Sequence, residues 1–137
     1  MNSPVTIDAS VFVSAFMPVE PAHQASKRFM LVVRKQSIPI IVPFLVLPEI
    51  SAALARGHGT PKAAKAFVLE LRSLPNTAFV DLGESLASLA ADIAANNRLR
   101  GSDAVYAAVA LRFGTELVTL DREQLNRLPK LLPVRTP

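Results

Sequence analysis

The length, composition and charge of the chain already exclude several classes of protein. It has 137 residues, half of them hydrophobic, which is enough for one domain with a well-formed core. The sequence contains no cysteine, so disulfides, zinc–thiolate sites and thiol catalysis are excluded, and a reducing compartment is compatible. The net charge of +4 favours a polyanionic partner, although a merely soluble basic protein explains that charge equally well.

The N-terminal residues and the apolar stretches predict neither a leader nor a membrane span. Pro4 and Asp8 interrupt the opening residues, where a secretory signal needs a basic start and then an apolar run. The longest apolar stretch, residues 38–48, contains prolines and is too short to cross a bilayer. We therefore expect a soluble, cytoplasmic protein that does not bind membranes.

Short strand-like runs alternate with longer helical patterns along the chain. The strand-like runs are residues 5–8, 39–42, 78–81, 117–120 and, less clearly, 132–135. The helical patterns cover residues 22–36, about 46–57, 61–73, 84–98 and 103–113. No repeat, low-complexity tract or linker divides the sequence, so we expect residues 1–137 to form one domain.

This alternation predicts an α/β fold, because parallel strands need helical crossovers between them. The strands are apolar without a polar alternate face, which indicates that helices cover both faces of the sheet. The expected fold class is therefore a three-layer α/β/α sandwich around a parallel sheet. In such folds ligands bind at the carboxyl ends of the strands, and Asp8 and Asp121 both follow predicted strands.

Four acidic residues stand out by position, and each also has a structural explanation. Asp8 and Asp121 can cap the turns that follow their strands, and Asp103 can be a favourable charge at a helix N-terminus. Glu49 is the hardest to explain structurally, because it lies among apolar residues at a helix start, where desolvation of a carboxylate is unfavourable.

The four acids are better explained together than singly. Carboxylates gathered at one edge of a sheet repel one another, and only a cation makes such a cluster tolerable. Oxygen ligands without Cys or His suit Mg²⁺ or Mn²⁺, since His23 and His58 lack ligand spacing and are predicted to be surface residues. A divalent ion in an acidic cleft of a basic protein indicates phosphodiester chemistry.

Four short motifs, in this order and at these spacings, resemble the PIN domain. They are D-A-S at 8–10, L-P-E-I around Glu49, S-D-A-V-Y-A-A-V-A at 102–110 and L-V-T-L-D at 117–121. The chain is most similar to the small PIN ribonucleases that act as VapC toxins of type II toxin–antitoxin pairs. The resemblance implies a parallel sheet of four or five strands between helices, and a metal-dependent endoribonuclease.

The same resemblance implies roles for individual residues. Asp8, Glu49, Asp103 and Asp121 match the family's acids that bind Mg²⁺ or Mn²⁺, and Ser10 and Thr119 match small hydroxyl positions beside them. Asp92 stands on a helix where some relatives carry a further acid, but a solvated helix surface explains it better. Several arginines either rim the acidic cleft and hold RNA phosphates or form a solvated basic face; they are Arg98, Arg100, Arg112 and Arg122.

The resemblance also implies protein partners, namely a small antitoxin and a second copy of the chain. An antitoxin would lay an amphipathic segment along the first helices, near Phe12, Phe16 and Met17. The helix at 62–74 is apolar around most of its circumference. It is therefore either wedged between other helices or part of a homodimer interface.

Other classes with a strand that ends in Asp fit less well. A haloacid-dehalogenase-type phosphatase needs a second Asp where Ser10 stands, and a phospho-acceptor receiver needs paired acids after its first strand. Nucleotide binders need a glycine-rich phosphate loop, and the sequence has none. A catalytically inactive PIN-like scaffold that binds RNA or protein remains the alternative.

Overall fold

A computed structural model describes residues 3–57 and 59–137, in which strands and helices alternate. The strands are β1 (Val5–Ile7), β2 (Ile40–Pro43), β3 (Thr77–Val80), β4 (Glu116–Val118) and β5 (Val134–Arg135). The helices are α1 (Ala9–Phe16), α2 (His23–Lys35), α3 (Val46–Arg56), α4 (Pro61–Arg72), α5 (Glu84–Asn97), α6 (Gly101–Phe113) and α7 (Arg122–Arg127). The five predicted strands and five predicted helices are confirmed with small shifts at their ends. The two short helices α1 and α7 are additional to the predicted alternation.

All five strands form one parallel sheet in the order β3-β2-β1-β4-β5. Val5 of β1 pairs with Ile40 of β2 on one side and with Glu116 of β4 on the other. The chain thus builds the sheet outward from β1 to β3 and then returns to the other side of β1. That reversal opens a crevice beside the carboxyl ends of β1 and β4, where α/β proteins bind ligands.

Helices cover both faces of the sheet, which confirms the predicted three-layer α/β/α sandwich. Because parallel crossovers are right-handed, the helices before β3 lie on one face and those after it lie on the other. The contacts agree: α1 packs on α2 and α3, and α3 packs on α4, whereas α6 packs on β1, β2 and β4 beneath α5. That residues 1–137 form a single domain stays a prediction.

Helix α6 is the most deeply buried of the helices. All residues from Asp103 to Ala110 are buried, and the frequent alanines let the helix lie close to the sheet. Gly114 ends the helix in the left-handed conformation (φ 66°), which glycine adopts without strain. An acidic residue inside so apolar an element, Asp103, needs a compensating interaction.

The sequence predicts that both histidines are surface residues. His23 is half-buried rather than fully exposed, and its Nδ1 forms a hydrogen bond of 2.8 Å with the carbonyl of Ser14. His58 lies outside the described residues.

Within residues 3–57 and 59–137, no helix is long and apolar enough to cross a membrane.

Candidate active site

The four predicted acids line one open cleft at the carboxyl edge of the sheet. Asp8 follows β1 and caps α1, and Asp121 follows β4 and caps α7. Glu49 and Asp103 lie in the first turns of α3 and α6. Each acid is therefore at a helix N-terminus, where the helix dipole stabilises negative charge. The structural and functional explanations of these residues are compatible, because one carboxylate can cap a helix and face the cleft.

Asp8 is held by two hydroxyl groups. Its Oδ2 accepts hydrogen bonds from Ser10 Oγ (2.5 Å), Ser10 N (3.3 Å) and Thr119 Oγ1 (3.1 Å). Ser10 Oγ in turn accepts from the backbone of Leu120, and Thr119 Oγ1 from that of Asp121. Burial raises the pKa of Asp8, the bonds from Ser10 and Thr119 oppose that rise, and the nearby charge of Asp121 adds to it.

Among the described residues, Glu49 has one side-chain hydrogen-bond partner in the cleft, the hydroxyl of Tyr106. The Tyr106 hydroxyl donates to Glu49 Oε1 at 2.6 Å. Burial raises the pKa of Glu49, the bond from Tyr106 lowers it, and the charges of Asp8 and Asp103 raise it further. The pKa of Tyr106 is itself raised, first by burial, so this hydroxyl stays protonated and donates.

Asp103 and Asp121 share a cation, the guanidinium of Arg100. Arg100 Nε donates to Asp103 Oδ2 at 3.0 Å, and its Nη2 donates to Asp121 Oδ2 at 2.7 Å. The buried amide of Gln124 donates to Asp103 Oδ1 at 2.9 Å. Burial raises the pKa of Asp103, whereas the hydrogen bond and charge of Arg100 lower it. The two carboxylates in turn raise the pKa of Arg100.

A comparison with family models matches residues 5–131 to the PIN domain. The chain belongs to the PIN domain family. The match spans all four acids and all of the sheet except β5. A comparison with curated proteins finds no match.

Solved structures of VapC-type proteins share the fold of this PIN domain. A chain of VapBC2 from Rickettsia felis, bound to a promoter DNA fragment, superposes with a TM-score of 0.72 at 13% identity, covering 98% of this chain and 99% of its own. VapC20 of Mycobacterium tuberculosis, a toxin that cleaves the sarcin–ricin loop, gives 0.73 at 18% identity, with coverages of 89% and 94%. A toxin–antitoxin complex from Klebsiella pneumoniae gives 0.67 at 15%, with 97% of each chain covered. At these identities the shared property is the fold.

Of the four arginines that the sequence analysis places near the acids, two lie in the cleft of the PIN domain and two lie elsewhere. Arg100 and Arg122 line the cleft. Arg112 instead donates to Ser85 of α5 at 2.9 Å, and the backbone carbonyl of Arg98 accepts from Arg127. Neither Arg98 nor Arg112 lines the cleft. Asp92 is exposed on α5, as its solvated interpretation predicts.

Two residues of the site do not figure among the sequence candidates, namely Tyr106 and Gln124. Tyr106 carries a recognisable signal, because it is the sole tyrosine of the sequence and lies three residues after Asp103, on the same face of α6. Gln124 carries none, since it belongs to α7, a helix too short for its periodicity to be read.

The donor set of the cleft fits a hard divalent cation. It consists of carboxylate oxygens, and burial raises the pKa of Asp8, Glu49 and Asp103, so a cation would relieve an unfavourable accumulation of charge. Among the described residues, no three acidic or histidine side chains are yet arranged to hold one ion together. Binding therefore requires side-chain adjustment or water-mediated contacts, which are usual for Mg²⁺.

Proposed function

We propose that this PIN domain is a Mg²⁺- or Mn²⁺-dependent endoribonuclease and the toxin of a type II toxin–antitoxin pair. The observation that carries the proposal is the meeting of four carboxylates, from four separate segments, in one cleft beside the topological switch point. Helix capping explains Asp8 and Asp121 individually, but it does not explain why Glu49 and Asp103 face the same cleft. A cation-dependent reaction explains all four.

The chain's own residues orient the acids for this chemistry. A bound Mg²⁺ or Mn²⁺ would supply an activated water and stabilise the charge that develops on the phosphodiester. Ser10 and Thr119 fix the orientation of Asp8, and Tyr106 fixes that of Glu49, so these two carboxylates are the ones that would hold the ion with little rearrangement.

RNA is the substrate class that we assign to the cleft. The net charge of +4 favours a polyanion, and Arg122 at the cleft rim is placed to contact a phosphate. A structural neighbour, VapC20, is itself a toxin that cleaves an RNA loop. A cytoplasmic location follows from this substrate. The alternative, an inactive scaffold, would have no need for all four acids.

A small antitoxin is the partner that we assign to a second, apolar groove between α1, α2 and α4. Of the three residues that the sequence analysis assigns to antitoxin binding, Phe12 and Phe16 line this groove and Met17 does not. Leu31 of α2 also lines the groove and has 54% of its surface exposed, so it offers apolar area that a partner could cover. Structural neighbours of this fold include toxin–antitoxin complexes.

We also propose a homodimer. The helix at 62–74 offers less apolar surface to a dimer interface than its sequence indicates. Leu71 is buried, and the ring of Phe67 packs against Phe16 with centroids 4.6 Å apart. The main apolar surface that remains on α4 is Leu69, which is 66% exposed. Light scattering at high micromolar concentration tests the dimer, and a strictly monomeric mass would remove it.

Expression in a bacterial host tests the toxin assignment. Induction of the chain alone should arrest growth and produce discrete RNA fragments, and co-expression of the neighbouring small open reading frame should relieve the arrest. Asp8→Asn should be harmless, whereas the matched variant Asp92→Asn, which alters an exposed acid on α5, should remain toxic. Growth unaffected by the parent chain at equal soluble expression would favour the scaffold.

A further inference from the structure

The hydrogen bonds of the cleft divide its acids into two pairs. Both oxygens of Asp103 accept bonds, from Gln124 and Arg100. Both oxygens of Asp121 also accept bonds, Oδ1 from the backbone of residues 123 and 124 and Oδ2 from Arg100. Asp8 and Glu49 differ, because among the described residues nothing donates to Asp8 Oδ1 or to Glu49 Oε2.

Arg100 lies between Asp103 and Asp121, the two acids whose oxygens all accept hydrogen bonds, and bridges them as a cation would. It occupies the N-cap position of α6, so its backbone is fixed by the helix start. The forked guanidinium reaches one oxygen of each carboxylate, at 3.0 and 2.7 Å, although the two acids are far apart in sequence. Asp103 and Asp121 have only 7% and 15% of their side chains exposed, while Arg100 has 69%. The arginine thus approaches the buried acids from the solvent side.

We propose that Arg100 is the chain's own counter-ion for Asp103 and Asp121, so that the cleft takes one divalent cation, at Asp8 and Glu49. Arg100 occupies the place where a second ion would otherwise bind. This inference rests on the proposed function and deepens it, because it assigns the number and position of the ions.

Charge balance supports this division. The four acids with Arg100 and one divalent ion sum to a charge of −1, and Glu20, Arg56 and Arg122, which also line the cleft, bring the sum to zero. Removal of Arg100 leaves an uncompensated pair of carboxylates close together in a partly buried cleft, where like charges repel strongly. A second divalent ion restores the balance. Arg100 acts in this account as a positioning residue, since its contacts are with Asp103 and Asp121.

Mn²⁺ titration of the purified chain without RNA tests the proposal independently of catalysis. Electron paramagnetic resonance of free Mn²⁺, or calorimetry, gives the number of ions bound and their affinities. The parent chain should bind one Mn²⁺. Arg100→Gln should bind two, or bind its first ion about tenfold more tightly because a positive charge has been removed from the site. Arg100→Lys, which retains the charge, should bind one.

Arg112→Gln is the matched control, because it removes the same charge from α6 outside the cleft, where Arg112 donates to Ser85, and it should bind Mn²⁺ like the parent. The role of Arg100 would be overturned if the parent and Arg100→Gln bound the same number of Mn²⁺ ions with the same affinity and had the same melting temperature. The nuclease assignment would remain intact. Two ions bound by the parent would overturn the role of Arg100 as well. If neither chain binds Mn²⁺, both the inference and the proposed function fail.

Discussion

Burial of Asp8 makes a stability measurement informative about the site. An acid whose folded-state pKa lies above its ordinary value, 3.8 for Asp8, binds protons more tightly when folded. Its ionised form therefore destabilises the fold at neutral pH, and stability is regained as pH falls through the raised pKa towards the ordinary value. The raised pKa values of Glu49 and Asp103 act in the same direction.

Asp8→Asn should therefore raise the melting temperature at pH 7 in the presence of EDTA. Asparagine keeps an acceptor for Ser10 and Thr119 at the Oδ2 position and places its amide at the oxygen that has no donor. The gain should shrink as the pH is lowered towards 4, and it should also shrink when Mn²⁺ stabilises the parent. If Asp8→Asn melts at a lower temperature than the parent in EDTA at pH 7, ionised Asp8 does not destabilise the fold.

Tyr106→Phe tests whether the orientation of Glu49 matters for catalysis. The change removes a 2.6 Å hydrogen bond and little volume. RNA cleavage should fall about 10-fold or more, as is typical when a partner of a metal-binding side chain is lost. Stability should fall by about 1.5–3 kcal/mol, the usual contribution of a hydrogen bond to a charged group. An unchanged cleavage rate with saturating Mg²⁺ would remove Tyr106 from the site.

At the scale of elements, the sequence predicts the strands and the longer helices but neither α1 nor α7. The segment A-S-V-F-V-S-A-F follows its strand after one residue, has two serines as its polar residues and spans about two turns, and α7 has only six residues. Periodicity needs several turns to be visible. The positions of Asp8 and Asp121 are predictable because strand ends meet at one edge of a sheet, whereas Glu49 and Asp103, at helix starts, join the cleft in the sequence analysis through the resemblance. The bridge from Arg100 to Asp121 is not, because it depends on how α6 and α7 are brought together.

Gln124→Glu tests the contact between α7 and α6. The substitution places a carboxylate against Asp103 Oδ1, where the buried amide now donates at 2.9 Å. We expect a loss of about 3 kcal/mol in the free energy of unfolding at pH 7, because an uncompensated charge is buried. The loss should diminish at pH 5. The neighbouring exposed variant Glu123→Gln should change stability by less than about 1 kcal/mol. Equal effects of the two variants would contradict the burial of this contact.

At the scale of the whole molecule, the cleft and the apolar groove are separate surfaces, to which we assign separate functions. The acids line the cleft, whereas Phe16 and Leu31 line the groove. Leu31→Glu should therefore abolish relief of toxicity by the antitoxin without reducing RNA cleavage. Leu82→Glu is the matched control, since Leu82 is similarly exposed (52%) but does not line the groove. If the antitoxin protects equally against both variants, its binding site lies elsewhere.

The central claim, that four carboxylates in one cleft make this PIN domain a metal-dependent ribonuclease, is tested most directly by single-turnover cleavage of RNA by the purified chain. The account predicts cleavage with Mg²⁺ or Mn²⁺, none with EDTA, and a rate about 100-fold or more lower for Asp8→Asn, because a ligand that supplies several kcal/mol of stabilisation through the ion is lost. Asp92→Asn should cleave like the parent. Equal rates for the parent and Asp8→Asn, or cleavage that persists in EDTA, would contradict the account.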